Sequence, residues 1–178
     1  MKRLKLIFCL LCLCCSLTEA KEVQVDAQKE VDEMTGRLVA SYLEAKVDED
    51  IIAGYASALR SDGSFPDLDY ITVHEGSFYP AGSHLKRLKS MAIAYRKPGN
   101  KYYNSGKLLK QIVAGIDYWY KVRPKSGNWW FGDIGAPQDY MVPLILLKGK
   151  ISEKKLLHYS SYLRDLTGNK GHKVPKSR

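Results

Sequence analysis

The segment from Asn128 to Pro137 reads Asn-Trp-Trp-Phe-Gly-Asp-Ile-Gly-Ala-Pro and places two of the three tryptophans of the chain side by side. Proline is favoured in the first turn of a helix, so Pro137 predicts a helix preceded by a loop that carries the paired indoles. An indole offers a flat apolar face to a pyranose ring and keeps its N–H for a hydroxyl or carboxylate. The pair therefore predicts a sugar-stacking platform. Burial of both rings in the core is the alternative, because aromatic side chains are usually buried.

Helical patterns extend from this segment in both directions. Apolar residues at three- and four-residue spacing indicate amphipathic helices. An acidic first turn suits the second helix, Asn104 or Ser105 can cap the fourth, and Pro143 indicates that the helix after Pro137 is kinked or begins later than Pro137 suggests. The predicted helices cover residues 26–46, 48–59, 80–95, 105–122, a stretch after Pro137, and 152–166, with a loop over 61–70.

These patterns predict an all-α fold of about six helices, because no stretch sustains the two-residue alternation of a strand. Several helices are apolar on more than one side and must be covered twice. An α/α toroid, a ring of helical hairpins, meets that need. Repeat arrays require several units to bury their faces, so six helices predict an incomplete toroid with an exposed apolar edge.

The N-terminus has the features of a secretory signal peptide over residues 1–20: basic residues, a short apolar run, and small residues before a cleavage site near Ala20. A membrane anchor is the alternative, although the apolar run falls short of a bilayer span; a lipoprotein start at Cys14 or Cys15 is another. All four cysteines lie in this segment. Cleavage would therefore leave a secreted or periplasmic chain without disulfides or cysteine-based metal sites.

The formal net charge of +9 suits an acidic partner. Because export separates the chain from most nucleic acid, an acidic polysaccharide such as a glycosaminoglycan is the expected partner, with no nucleic acid and no stable membrane insertion after signal cleavage. Generic solvation by the excess lysines is the alternative. No cofactor is expected.

The Asn-Trp-Trp sequence, followed by an acidic residue and Ile-Gly-x-Pro, resembles the signature of polysaccharide lyase family 8, which includes chondroitin AC, hyaluronate and xanthan lyases. The resemblance extends from Asp62-Gly63-Ser64-Phe65 to Leu166-Thr167-Gly168-Asn169. It implies an incomplete α/α toroid over residues 21–168 and leaves residues 169–178 as a basic tail that we expect to be disordered. Family members run on for several hundred residues, so we expect this chain to be an N-terminal segment, truncated before the catalytic residues.

The resemblance also implies roles for residues. It assigns substrate binding to Asn128, Trp129 and Trp130, while Asp133 stands where many members have a glutamate. Family lyases perform β-elimination, which requires neutralisation of the uronate carboxylate, a base for the C5 proton and an acid for the leaving oxygen. The asparagine, histidine, tyrosine and arginine that do this are expected beyond Thr167-Gly168-Asn169, so no catalytic residue is assigned and the chain alone is expected to be inactive.

The remaining candidates carry less information. Asn169 and His172 receive no catalytic role, and His74, His84 and His158 form no metal-spaced pair, so we expect structural or surface roles. A cationic, aromatic-lined groove is one interpretation of a further set, and ordinary packing beneath a solvated lysine face is the other; the set is Tyr102, Tyr103, Tyr118, Trp119, Tyr120, Lys86, Arg87, Lys89, Lys121, Arg123 and Lys125.

Three functions are compatible with the sequence. The first is the N-terminal helical segment of a secreted polysaccharide lyase that binds acidic polysaccharide of the chondroitin or hyaluronan type. The second is a stand-alone basic glycosaminoglycan- or carbohydrate-binding helical protein without enzymatic activity. The third is a nonfunctional remnant whose exposed toroid edge would make it aggregate.

Overall fold

The computed structural model describes residues 27–167. The proposed signal peptide with its cysteines, the basic tail, Asn169 and His172 therefore lie outside the described residues. The chain divides into two compact units between Tyr42 and Leu43. The first unit contains most of helix α1 (residues 27–43), which confirms the predicted helix over 26–46. Along α1, Val31, Met34 and Leu38 are exposed.

Within residues 43–167, the second unit contains five α-helices and one short π-helical segment. The helices are α2 (Glu49–Ala58), α3 (Gly82–Arg96), α4 (Gly106–Val122), α5 (Ala136–Leu146) and α6 (Glu153–Thr167), and the π-helical segment is Phe131–Gly135. Throughout residues 27–167 the backbone forms helices, turns and loops without a β-strand. The all-α prediction is therefore confirmed.

The helix starts follow local chemistry. Asp48 caps α2, where its carboxylate accepts hydrogen bonds from the N–H groups of Asp50 and Ile51, and Ser105 caps α4 by accepting from the N–H of Leu108. Such side chains satisfy N–H groups that have no partner inside the helix. Of the two candidate caps for α4, Ser105 takes the role, while Asn104 lies just before it with φ +53°.

The core is built around α3, which packs against α2, α4 and α5, while α6 packs against α4 and α5. Leu85, Leu88 and Met91 of α3 are completely buried, as is Trp119 of α4. This burial on several sides agrees with the sequence pattern, which predicts that several helices are apolar on more than one side. The arrangement brings the N-terminal part of α3 close to the start of α5, where the candidate site lies.

The loop before α3 is fixed to the core by polar contacts. The guanidinium of Arg87 forms two hydrogen bonds with the Asp67 carboxylate, at 2.8 and 2.5 Å, and lies 4.7 Å from the ring centre of Phe65. His84 is fully buried between the Tyr70 hydroxyl and the Gly115 carbonyl, each 2.9 Å from a ring nitrogen. These contacts hold the loop against α3 and α4.

Helix α5 differs from the sequence expectation. It begins at Ala136, with Pro137 in its first turn, and contains Pro143 in its interior, so it does not begin later than Pro137. Helical backbone also continues upstream through the π-helical segment to Trp129. The prediction that the paired tryptophans lie on a loop was therefore wrong.

The reason is chemical. Pro137 has no N–H, and its ring would clash with the carbonyl of the residue four positions earlier, so a regular α-helix cannot run through it unchanged. A wider turn precedes it instead, with the N–H of Ala136 donating to the Phe131 carbonyl five residues back. A π-helical turn of this kind often marks a functional position in a helix.

Candidate functional site

Asn128 starts the helical segment that carries the two tryptophans. Its side-chain oxygen accepts a hydrogen bond from the N–H of Trp130 at 2.9 Å, and its carbonyl accepts from the N–H of Gly132 at 3.2 Å. The Asn128 amide nitrogen donates to the Gly76 carbonyl at 2.8 Å. Asn128 therefore acts as an N-cap and also ties the segment to the loop before α3.

Further contacts hold these two segments together. The N–H of Gly127 donates to the His74 carbonyl at 3.1 Å, and the Tyr79 hydroxyl donates to the Pro124 carbonyl at 3.0 Å. A β-carbon on Gly127 would lie 2.5 Å from Glu75 Oε1, so the absence of a side chain at position 127 permits this close approach. The backbone before the tryptophans is thus fixed on one side by residues 74–79.

The same loop carries its own ordered groups. Asp69 accepts hydrogen bonds from the N–H groups of Ile71 and Thr72, at 2.9 and 3.0 Å. The pKa of the Asp69 carboxyl is lowered, chiefly by hydrogen bonds from Thr72 and then from Ile71. His74 lies 3.4 Å from Asp69 Oδ2 and meets the exposed Phe78 ring edge-on at 5.0 Å. The loop is therefore held by its own contacts next to the tryptophan segment.

Both tryptophans are on the surface. Trp129 is 68% exposed and Trp130 is 44% exposed, whereas Trp119 is completely buried. Burial of both rings of the pair in the core, the alternative interpretation, does not describe this structure. Their assignment to substrate binding stays a prediction, and the structure gives it a surface location on ordered backbone.

Trp130 is the more firmly positioned of the two. Its benzo edge lies over Gly135, where a β-carbon would come within 2.8 Å of Cζ3. It also meets Phe131 edge-on at 5.3 Å, and Phe131 lies 5.8 Å from Tyr79. A cleft of about 180 Å³ opens beside these three rings. Asp133, which replaces the expected glutamate, is exposed in the same π-helical segment.

The wider groove suggested by the sequence is only partly present. Trp119 lies in the core, Arg87 is bound to Asp67, and Arg123 pairs with Asp165 at 3.1 Å while lying 4.9 Å from the Tyr120 ring centre. Lys86, by contrast, lines the cleft beside Trp130. The structure therefore separates Lys86 from the rest of that set, most of which serves packing and surface ion pairs.

The histidines are separated in space. Burial lowers the pKa of His84 to about 4, and neighbouring Arg87 acts in the same direction. His158 contacts the Tyr120 ring at 4.3 Å, and His74 contacts Asp69 and Phe78 as described. Among residues 27–167, no group of three or more histidine, cysteine, aspartate or glutamate side chains is placed to hold a metal ion. Within the same range no helix is long and apolar enough to cross a membrane.

Several residues that shape this region have no functional signature in the sequence. Tyr79, Phe131 and Gly135 shape the cleft, and residues 74–76 hold the tryptophan segment. The N-cap role of Asn128 has a local signal, since an asparagine followed by helical residues is a common N-cap pattern. The contacts across some 50 residues of sequence, such as that between Asn128 and Gly76, have no signature in the sequence.

The chain is similar to known polysaccharide lyases. Residues 30–178 match the family model described as polysaccharide lyase family 8, N-terminal alpha-helical domain. Among curated proteins, the chain is 35% identical over 92 residues to chondroitinase-AC from Pedobacter heparinus, covering 52% of this chain and 13% of that protein. It is 34% identical over 112 residues to a hyaluronate lyase from Enterococcus faecalis, covering 56% of this chain and 11% of that protein.

A solved structure is also similar. A chondroitinase AC lyase, studied as enzyme–oligosaccharide complexes, superposes with a TM-score of 0.64 at 27% identity, covering 73% of this chain and 20% of that one. The all-helical architecture and this similarity confirm the predicted fold, a portion of an α/α toroid. The chain thus spans between 11% and 20% of the length of these relatives.

Proposed function

Because the chain belongs to polysaccharide lyase family 8, whose N-terminal α-helical domain it matches over residues 30–178, we propose that it binds an acidic polysaccharide of the chondroitin or hyaluronan type through Asn128, Trp129 and Trp130. One observation carries the proposal: the two adjacent indoles are 68% and 44% exposed on a capped helical turn. Exposure of paired large aromatic rings is unusual without a ligand, since they are normally buried.

The chemistry of the surface suits this ligand. Each indole face can cover the C–H face of a sugar ring, and each indole N–H remains available for a hydroxyl or carboxylate. The net charge of +9 attracts a polyanion over distances of about 10 Å at moderate salt. The names of the two curated relatives, a chondroitinase and a hyaluronate lyase, support a polysaccharide of this class.

Within a lyase, the role of this surface would be to hold the polysaccharide. Stacking on Trp129 and Trp130 fixes the position of the sugar rings, and fixed rings present the scissile unit to an acid and a base in a constant geometry. The β-elimination itself belongs to residues outside this surface. Asn128 contributes indirectly, because its side chain holds the first helical turn and the loop carbonyl of Gly76.

The test compares Trp129→Ala and Trp130→Ala with Tyr103→Ala. Tyr103 is a matched control, since its ring is 46% exposed, lies on the turn before α4 and does not line the cleft beside Trp130. Each tryptophan variant is expected to weaken chondroitin sulfate binding by about 1–3 kcal/mol, the range for aromatic stacking on other ring ligands, while Tyr103→Ala binds normally. Unchanged affinity in both tryptophan variants would reject the proposal. Unsaturated uronates, followed by their ultraviolet absorbance in the same samples, report any turnover.

A stand-alone carbohydrate-binding protein is the second candidate. It is favoured by the completely buried side chains of Leu85, Leu88 and Trp119, which form a core within this chain. A cooperative thermal transition of the isolated, soluble chain would support this function. Solubility only in the presence of further lyase sequence would support the lyase segment instead, and aggregation under all conditions would point to a nonfunctional remnant.

We also propose that the chain is exported, with cleavage near Ala20. The supporting observation is the sequence of residues 1–20, in which a basic start precedes an apolar run and small residues. N-terminal sequencing of the protein recovered from the medium or periplasm is expected to begin close to residue 21. An intact Met1 on protein retained in the cytoplasm would contradict export.

A further inference from the structure

A small cleft lies beside Trp130, between the start of α3 and the start of α5. Its volume is about 180 Å³, below the roughly 300–1,000 Å³ of pockets that hold a drug-sized ligand. The cleft therefore suits one ring rather than an oligosaccharide. It is lined by three aromatic rings, three polar or charged side chains and three small residues: Tyr79, Trp130, Phe131, Lys86, Gln138, Asp139, Gly82, Gly135 and Ala136.

Two glycines shape the aromatic walls of this cleft. A β-carbon on Gly82 would lie 2.9 Å from Cδ1 of Tyr79, and one on Gly135 would lie 2.8 Å from Cζ3 of Trp130. Contacts this short leave no room for a side chain at either position. The rings of Tyr79 and Trp130 occupy that space, and Phe131 contacts both. The walls of the cleft are therefore positioned by packing.

Lys86 is the basic residue in the lining of the cleft, and the acidic residue of the same lining, Asp139, is paired with another lysine. Lys89, one turn after Lys86 on α3, lies 3.7 Å from the Asp139 carboxylate, so the acid that lines the cleft is paired. Lys86 is exposed, lines the cleft, and forms no ion pair with any side chain of residues 27–167. An ammonium group beside an aromatic wall can hold an anionic substituent while the ring bearing that substituent lies on the aromatic face.

We propose that Lys86 selects an anionic sugar at this cleft: one carboxylated or sulfated pyranose ring lies against Trp130 with its anionic group on the Lys86 ammonium. Gln138, which also lines the cleft, offers hydrogen bonds to the ring hydroxyls. This inference rests on the proposed function, because it assumes that sugar rings bind at Trp130. It adds a specificity-determining residue and a subsite of one ring to that function.

The test compares Lys86→Gln with Lys150→Gln, which removes the same charge from an exposed position on the turn after α5. The probes are a hyaluronan oligosaccharide, which carries carboxylates alone, its carboxyl-reduced neutral form, and a chondroitin sulfate oligosaccharide. Lys86→Gln is expected to bind the charged probes about five- to tenfold more weakly, the size of a partly exposed charge pair, and the neutral probe unchanged. Lys86→Arg should restore binding.

The outcomes separate the two proposals. A loss for hyaluronan identifies the carboxylate as the bound group, and a loss confined to chondroitin sulfate identifies the sulfate. Equal losses in Lys86→Gln and Lys150→Gln would show that only the overall charge matters and would overturn the role of Lys86, as would no loss in Lys86→Gln. If Trp130→Ala weakens binding while Lys86→Gln does not, this inference alone fails. If Trp129→Ala and Trp130→Ala both leave binding unchanged, the proposed function fails as well.

Discussion

The indole of Trp130 lies directly over Gly135: a β-carbon on Gly135 would come within 2.8 Å of Cζ3 of the ring. The π-helical segment Phe131–Gly135 joins these two residues, so the wide turn and the missing side chain together set the ring position. A β-carbon on the neighbouring Gly132 would have no atom within 4 Å. A side chain at position 135 would therefore collide with Trp130, whereas a side chain at position 132 would not.

This difference predicts the effect of two alanine substitutions. Gly135→Ala should displace the Trp130 ring and remove up to the whole stacking contribution, about 1–3 kcal/mol of polysaccharide binding energy. Gly132→Ala, the matched control, should bind normally and unfold at a slightly higher temperature, because alanine in a helix is favoured over glycine by about 0.5–1 kcal/mol. Binding titrations and thermal unfolding check both. Equal binding by the two variants would contradict the positioning role of Gly135.

Asn128 is expected to support binding through the helix start. Asn128→Ala removes both the cap to Trp130 and the bond to Gly76 and should lower the free energy of unfolding by about 0.5–2 kcal/mol, with weaker polysaccharide binding. Asn128→Asp keeps the cap oxygen but has no donor for the Gly76 carbonyl, so it should fall between wild type and alanine. Denaturant unfolding measures the free energy of unfolding of wild type, Asn128→Asp and Asn128→Ala. An Asn128→Ala protein with wild-type stability and affinity would be inconsistent with this role.

His84 makes the stability depend on pH. Its Nε2 faces the Gly115 carbonyl and must donate, so Nδ1 accepts from the Tyr70 hydroxyl, whose oxygen accepts from the N–H of Phe65. Both nitrogens are thus satisfied in the neutral ring. Burial lowers the pKa of His84 from 6.5 to about 4. The unfolded chain therefore binds the proton more tightly than the folded chain.

The sign follows from that difference. The contribution of neutral His84 to the free energy of unfolding is fully present above pH 6.5. It is lost as the pH falls toward 4, by a total on the order of 3 kcal/mol. The pKa values of Asp62 and Asp67 are lowered from 3.8 by hydrogen bonds from Ser64 and Arg87, so their contributions are lost only at lower pH. As the pH is lowered from 6.5 to 5, the free energy of unfolding should fall in wild type and change less in His84→Gln. A His84 ring already protonated at pH 6 by NMR would refute this explanation.

Gly115 of α4 lies at the contact between α4 and α3. A β-carbon there would lie 2.5 Å from Cδ2 of Leu88, and Leu88 is completely buried. Gly115→Ala should therefore destabilise the protein by about 1–3 kcal/mol through overpacking. Gly54→Ala in α2 meets nothing within 4 Å and should stabilise it by about 0.5–1 kcal/mol. Denaturant midpoints that shift in the same direction for both variants would show that Gly115 does not pack tightly against Leu88.

The sequence predicted the helices well because their signals are local. Apolar spacing and the acidic first turn of α2 reflect contacts within one or two turns, so α1 to α4 and α6 begin and end close to the predicted positions. The start of the tryptophan segment was predicted wrongly because Pro137 indicates a helix start, whereas here it follows a π-helical turn inside a longer helical stretch. Proline identity alone does not distinguish these two cases.

The candidate site was predictable in part. Asn128, Trp129 and Trp130 stand together in the sequence, but their exposure depends on the loop at residues 74–79 and on the rings of Tyr79 and Phe131. Lys86 belonged to a set of basic residues that looked equivalent. Only the fold shows that Arg87 is held by Asp67 while Lys86 lines the cleft.

The most direct measurement is a tryptophan-fluorescence titration of the chain with a chondroitin sulfate oligosaccharide. Of the three tryptophans, Trp119 is completely buried, so a ligand at the surface can change the emission of Trp129 and Trp130 alone. We expect a saturable spectral change in wild type. In the Trp129→Ala/Trp130→Ala double variant we expect loss of both the spectral change and the binding measured calorimetrically. A double variant that binds the oligosaccharide as tightly as wild type would contradict this expectation.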